Sequence, residues 1–159
     1  MAGEVTTASG TKVYIGPAVT GATDTLAEFQ AISDWVEIGL VESVGEFGDE
    51  SSEVTFSAVG DARVRKAKGA RNAGTMALTC GHDPTDAGQA DIEAAEGTND
   101  KYAFKVVLPD GPAGYTDTTV YFRGLVMSKR KNIGTNDNVI KNTYNVGIDS
   151  ELFVDPASL

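Results

Sequence analysis

Apolar and polar residues alternate along most of this chain, in short and well-separated runs. Val36, Ile38 and Leu40 alternate with Glu37 and Gly39, and Val54, Phe56 and Ala58 with Thr55 and Ser57. Met76, Leu78 and Cys80 alternate with Ala77 and Thr79; Tyr102, Phe104, Val106 and Leu108 alternate with Ala103, Lys105 and Val107. Tyr144, Val146 and Ile148 alternate with Asn145 and Gly147. A period of two sends successive side chains to opposite faces, so each run predicts a strand with one buried face. Lys12 to Gly16 is a shorter β-prone run ended by Gly16-Pro17, and Thr119 to Lys129 is long and dense in Val, Tyr, Phe and Leu. Seven or eight strands in succession predict a mainly β fold, a sandwich or barrel.

One helix interrupts the strands, at about Pro84 to Glu96. Asp83 is a good N-cap, Pro84 suits the first helical position and Asp86 sits in the first turn. Gly88, Ile92 and Ala95 form a narrow apolar stripe, and Gly97 stands where a helix ends. The helix is expected to flank the sheet layer. The segments between strands at 42–53 and 60–74 read as extended loops, the first acidic and the second basic and punctuated by Gly. A flexible N-terminus of about ten residues precedes the strands. With no linker and no repeat in view, residues 1–159 read as one domain.

Composition changes this picture little. The chain has 159 residues, enough to bury a core without disulfide staples. The single cysteine, Cys80, forms no intramolecular disulfide, which fits a reducing compartment. No apolar run reaches the length of a membrane span, and Met1 to Gly10 lacks the basic and apolar regions of a signal peptide, so the expectation is a protein that stays in the cytoplasm that made it.

Charge adds more. The net charge of −10 is hostile to DNA and to anionic membrane as attractive partners. It is also segregated. From Val13 to Ala62 there are ten acids and no base; from Ala62 to His82 come Arg63, Arg65, Lys66, Lys68 and Arg71 with no acid. Two solvated faces of opposite sign account for this. So do self-complementary surfaces on identical subunits, which build rings or filaments.

Candidate chemistry is sparse. Cys80 and His82 have no third Cys or His to complete a closed zinc site. Gly69 to Thr75 resembles a phosphate loop but lacks the Lys before Thr, and no Gly-x-Ser-x-Gly elbow exists. Asn136, Asp137 and Asn138 lack calcium-loop spacing. No cofactor and no catalytic group are expected. The basic stretch from Arg63 to Arg71 has no aromatic to stack on bases, which weakens a nucleic-acid-binding reading.

Four segments, in order, resemble phage tail tube proteins, including the relatives that form secretion tubes. They are Trp35 to Phe56 (WVEIGLVESVGEFGDESSEVTF), Gly60 to Gly81 (GDARVRKAKGARNAGTMALTCG), Asp83 to Gly97 (DPTDAGQADIEAAEG, with its Asp-x-Gly-Gln) and Tyr121 to Lys131 (YFRGLVMSKRK). The resemblance implies a β-sandwich-like core with a flanking helix, rings of six whose inner sheets join into one barrel, and stacking into a conduit for DNA. It implies a virion-tail location, and tape measure, terminator and baseplate or tail-tip proteins as partners besides the chain itself. A terminator, a secretion tube subunit and a nucleic-acid-binding module are the alternatives. Glu42 and Glu46, in strand phase with Val44, are the lumen-lining candidates. Asp49, Glu50, Glu53, Arg63, Arg65, Lys66, Lys68 and Arg71 are the candidates for contact between subunits.

Overall fold

The structure, a computed structural model, describes residues 5–159. Residues 1–4 of the expected flexible N-terminus lie outside the described residues, and 5–11 form no strand or helix. Ten strands and two helices follow: β1 (Lys12–Val19), α1 (Leu26–Gln30), β2 (Val36–Ile38), β3 (Val41–Ser43), β4 (Glu50–Phe56), β5 (Arg65–Asn72), β6 (Thr75–Gly81), α2 (Ala87–Glu96), β7 (Lys101–Val107), β8 (Thr119–Asn132), β9 (Lys141–Ile148) and β10 (Phe153–Asp155).

All strand pairs are antiparallel. The main sheet runs β2-β1-β7-β8-β9-β6-β3, with β10 alongside β8. Alternation does what it predicts. In β9, Asn142, Tyr144, Val146 and Ile148 are buried while the intervening residues are not. Register puts Met76 opposite Val146, Leu78 opposite Tyr144 and Phe104 opposite Phe122, so buried rows meet buried rows.

The two end strands of this sheet, β2 and β3, are separated in the chain by only Gly39 and Leu40. One chain segment therefore supplies both edges, and the sheet curls back on itself. Its inner faces share one cluster containing Val13, Ile38, Leu78, Phe104, Phe122 and Tyr144, joined by Ile92 and Ala95 of α2. Leu40 carries the turn between the edges with φ +53, a left-handed conformation unusual for such a residue. The long strand β8 serves both halves of the sheet. It pairs with β7 up to Gly124 and with β9 from Gly124 onward. A Cβ on Gly124 would lie 2.6 Å from Val146 Cγ1, so only Gly lets the strands come this close. A second, smaller cluster on the opposite face packs Phe29 of α1 against Ala103 and Tyr121, with Trp35 and Phe153 around them.

Several expectations change. β1 continues through Pro17 to Val19, because a register shift between Ile15 and Ala18 spares Pro17 a ladder hydrogen bond. The helix begins at Ala87 with Asp86 as N-cap, not at Pro84 with Asp83. Asp83 instead accepts from the amide and hydroxyl of Thr85, closing a turn ahead of the helix. Gly97 ends it in right-handed conformation. The expected loops at 42–53 and 60–74 are strand over much of their length: β3 and the start of β4 in the first, β5 in the second. β4 and β5 form a separate two-stranded sheet, and pairing with each other is what orders their charged sequence.

Candidate functional site: open strand edges and a projecting hairpin

Among the described residues no group of three or more His, Cys, Asp and Glu side chains converges on a metal-sized space. Cys80 lies in the core, where burial, with Asp86 adding to it, pushes its thiol up to about 12. A thiol held so far from its thiolate is inert. His82 faces outward and its Nδ1 lies 3.1 Å from Asn142 Nδ2.

The molecule does present unused backbone. Beyond Gly124, β8 pairs with β9 on one side, and among the described residues no strand pairs with Leu125–Asn132 on the other. At the far end of the same half-sheet, among the described residues β3 pairs only with β6. The four strands in the order β3-β6-β9-β8 thus end in two different open edges. Apolar side chains stand exposed near both: Leu40 beside β3, and Met127, Ile133, Val139 and Ile140 at the β8–β9 end. The open side of β3 borders an apolar cavity of about 250 Å³ lined by Val44, Phe47, Val106 and Leu108.

The outward face of these four strands carries mostly short side chains, with Leu125, Arg130 and Lys141 in the same rows. Thr75, Ala77 and Thr79 on β6 lie opposite Gly147, Asn145 and Thr143 on β9, and Asn145 in turn lies opposite Ser128 on β8. Glu42, exposed on β3, forms a 2.8 Å ion pair with Lys141. Glu46 follows β3 in an exposed segment outside any strand.

The β4–β5 hairpin carries the remaining candidates. From Glu50 to Asn72 it has three acids and five bases, a net +2, which leaves −12 on the rest of the chain. Arg71 bonds Asp49 at 3.0 Å at its base, Lys66 bonds Glu53 at 3.1 Å across the strands, and Arg65 bonds Asp61 at 3.0 Å. Of the candidates, Asp49 with Arg71 and Glu53 with Lys66 are thus paired within one copy, Arg65 pairs with Asp61, and Glu50, Arg63 and Lys68 enter no ion pair among the described residues. Such exposed pairs are worth about 0–1 kcal/mol each and leave the charges available to other partners. Val54, Phe56, Val59 and Val64 are exposed toward the tip, an apolar group on an otherwise charged ribbon.

Two polar centres escaped the sequence reading. Arg123, mostly buried, donates to the Thr20 and Thr23 carbonyls at 3.2 and 3.1 Å and approaches Asp149 at 3.4 Å; Lys101 meets the same carboxylate at 2.7 Å. The first hydrogen bond in that set, from Lys101, and then the charges of Lys101 and Arg123 hold the Asp149 carboxyl below the usual range. The other centre lies where α2 meets the β2–β3 turn. Asp86 Oδ2 accepts from the Gly39 amide at 3.0 Å and from the Gln89 amide at 2.9 Å. The buried Gln89 side chain donates to the Gly39 and Gly81 carbonyls and accepts from Asp83 and Asn142. Gly88 lies so close that a Cβ there would stand 2.6 Å from Ile38 Cα. Only the Asp-x-Gly-Gln spelling hinted at this centre, because its partners are backbone groups far away in sequence.

Comparisons with known proteins come from two sides. A family model described as phage tail tube protein, TTP, matches residues 5–152. No curated protein matches the chain. Among solved structures, a chain from the anti-feeding prophage baseplate, six-fold symmetrised, is 12% identical with a TM-score of 0.71, covering 100% of both chains. The SPP1 tail tube is 14% identical with a TM-score of 0.64, over 96% of this chain and 80% of that one. A chain from the sheath/tube terminator of a contractile injection system is 12% identical with a TM-score of 0.66, over 98% and 99%. At these identities the likeness is one of fold.

Proposed function

The chain belongs to the phage tail tube protein family, structural rather than enzymatic and part of the virion tail, and from that premise we propose that its copies join edge to edge into rings of six that stack into a conduit for phage DNA. The pair of open edges on one half-sheet carries this reading. Strand directions alternate along β3-β6-β9-β8, so β3 and β8 run oppositely. Rotating one copy about a tube axis places the next β3 antiparallel to β8, and the ladder continues without a break. The contact is head to tail, the kind that closes into a ring. Each added copy uses up two edges that would otherwise be aggregation hazards.

The exposed face of β3-β6-β9-β8 is the wall of the conduit. Its side chains are mostly Thr, Ser, Asn, Ala and Gly, Arg130 and Lys141 are the cations in its rows, and Glu42 and Glu46 are proposed to bring negative charge to the same side. Lys141 offsets Glu42 within the copy, so repulsion from this wall is mild. The β4–β5 hairpin is the element that reaches the neighbouring ring, its +2 charge drawn to the −12 of another copy's body. Tape measure, terminator and baseplate or tail-tip proteins are the further partners of such a tube.

Cross-linking tests the edge pairing. Ser43 on β3 and Ser128 on β8 share the outward face. In the double variant Ser43→Cys, Ser128→Cys, a short bis-maleimide should link assembled copies into a ladder ending at the ring number. Each single variant should give none, and buried Cys80 stays silent. No ladder from assembled double variant overturns the proposal.

A further inference from the structure

We infer that the Asp86–Gln89 clamp on Gly39 is a positioning device for assembly, setting β3 in the register that accepts the next copy; this rests on the edge-pairing reading above. The bonds argue for it. β3 is three residues long, pairs with one strand, and contains a register shift between Val41 and Ser43. Such an edge has little of its own to hold its register. What fixes it is the turn before it. Gly39 is held at both backbone groups, its amide by Asp86 and its carbonyl by Gln89. Next, the Leu40 carbonyl accepts from the Gly81 amide at 2.8 Å, and Gln89 also holds the Gly81 carbonyl at 2.8 Å. One side chain therefore ties the β2–β3 turn to the end of β6, the strand that β3 must follow.

Space enforces the same arrangement. A Cβ on Gly39 would stand 2.7 Å from Asp86 Oδ1. Asn142, 1% exposed, extends the network from Gln89 to β9 and receives Lys131 from β8 at 3.0 Å. The network therefore runs from the turn that leads into β3, through β6 and β9, to β8. A network this buried and this fully bonded specifies one arrangement more than it adds stability. The arrangement it specifies is the geometry of an open edge, which the lone molecule does not use.

The test separates helix capping from clamping. Asp86→Asn keeps an oxygen at the same reach, able to accept from both amides. Asp86→Ser still caps α2 through the Gln89 amide but is too short to reach Gly39. Both go into the Ser43→Cys, Ser128→Cys background, and monomer melting and bis-maleimide ladders are measured for each. The expected result is similar melting for the two, a normal ladder for Asp86→Asn, and for Asp86→Ser a rise of about tenfold in the concentration needed for a ladder, the scale of one lost buried hydrogen bond. The Gly39 amide should also exchange faster in Asp86→Ser alone. If Asp86→Ser does not fold at the assay temperature, Gln89→Met, of similar length but without the bonds to Gly39 and Gly81, takes its place with the same expectation. Equal ladders from the Ser and Asn variants overturn the clamp while leaving edge pairing intact. A parent background that never gives a ladder overturns both.

Discussion

Individual residues here do the work of closing and bracing a barrel. Asp149 is the point where Lys101 and Arg123 meet, and Arg123 also ties down the Thr20–Thr25 loop. Because its carboxyl is depressed in the folded state, it stabilises the fold above the ordinary carboxylate range, and that contribution is lost as pH falls through the folded value. Melting of Asp149→Asn should therefore lie below wild type at pH 7, and the gap should begin to narrow below about pH 4. Melting curves across that range check it; a gap independent of pH would contradict the account. Gly124→Ala would drive a methyl into Val146 at the point where β8 changes partners. A loss of about 1–3 kcal/mol is expected from overpacking of this kind, measurable by denaturant unfolding. Cys80 should stay unlabelled by a thiol reagent at pH 8 and react once the chain is unfolded.

The elements divide by how far one face is buried. β6 and β9 are legible because their buried face alternates with a more polar and more exposed one, and β7 is legible by its apolar period although its other face packs Ala103 into the second cluster. β5 was not, since all but one of its residues are exposed and its sequence, RKAKGARN, has no apolar face to read. It is a strand only because β4 pairs with it. α1 is five residues long, and β3 and β10 three each, too short for a period to show. The helix starts one turn later than the sequence suggests because Asp83 and Asp86 both suit a cap, and Asp86 also bonds Gly39, 47 residues away in the chain. The candidate residues were found by charge, yet what joins them is a hairpin, which the charge pattern did not announce. The hairpin's role is open to a direct test. Reversing Arg63, Arg65 and Arg71 to Glu removes exposed pairs worth little to the monomer, so its melting should shift by only a few degrees. Sedimentation of the variant should nonetheless show tubes lost. Tubes of normal length would remove the hairpin from the contact between rings.

At the scale of the whole molecule, the proposed assembly gives a use to each feature that has none in one copy. The open edges of β3 and β8, the exposed apolar residues beside them, and a +2 hairpin on a −12 body are each incomplete alone. The proposed attraction between hairpin and body would act across exposed charges, so raising ionic strength toward 1 M, where screening extends only about 3 Å, should shorten tubes while leaving rings, whose proposed contact is a backbone ladder. Light scattering together with particle images would register the change. Reversing the charge of Glu42 and Glu46 should leave tubes intact and slow DNA ejection from reconstituted virions; unimpaired ejection would take these residues out of the wall's function. Above all these stands the assembly itself. Negative-stain electron microscopy of the purified chain tests it most directly: the account predicts hollow tubes of stacked rings with a central channel, and a protein that stays dispersed as single copies, without rings at any concentration, would contradict it.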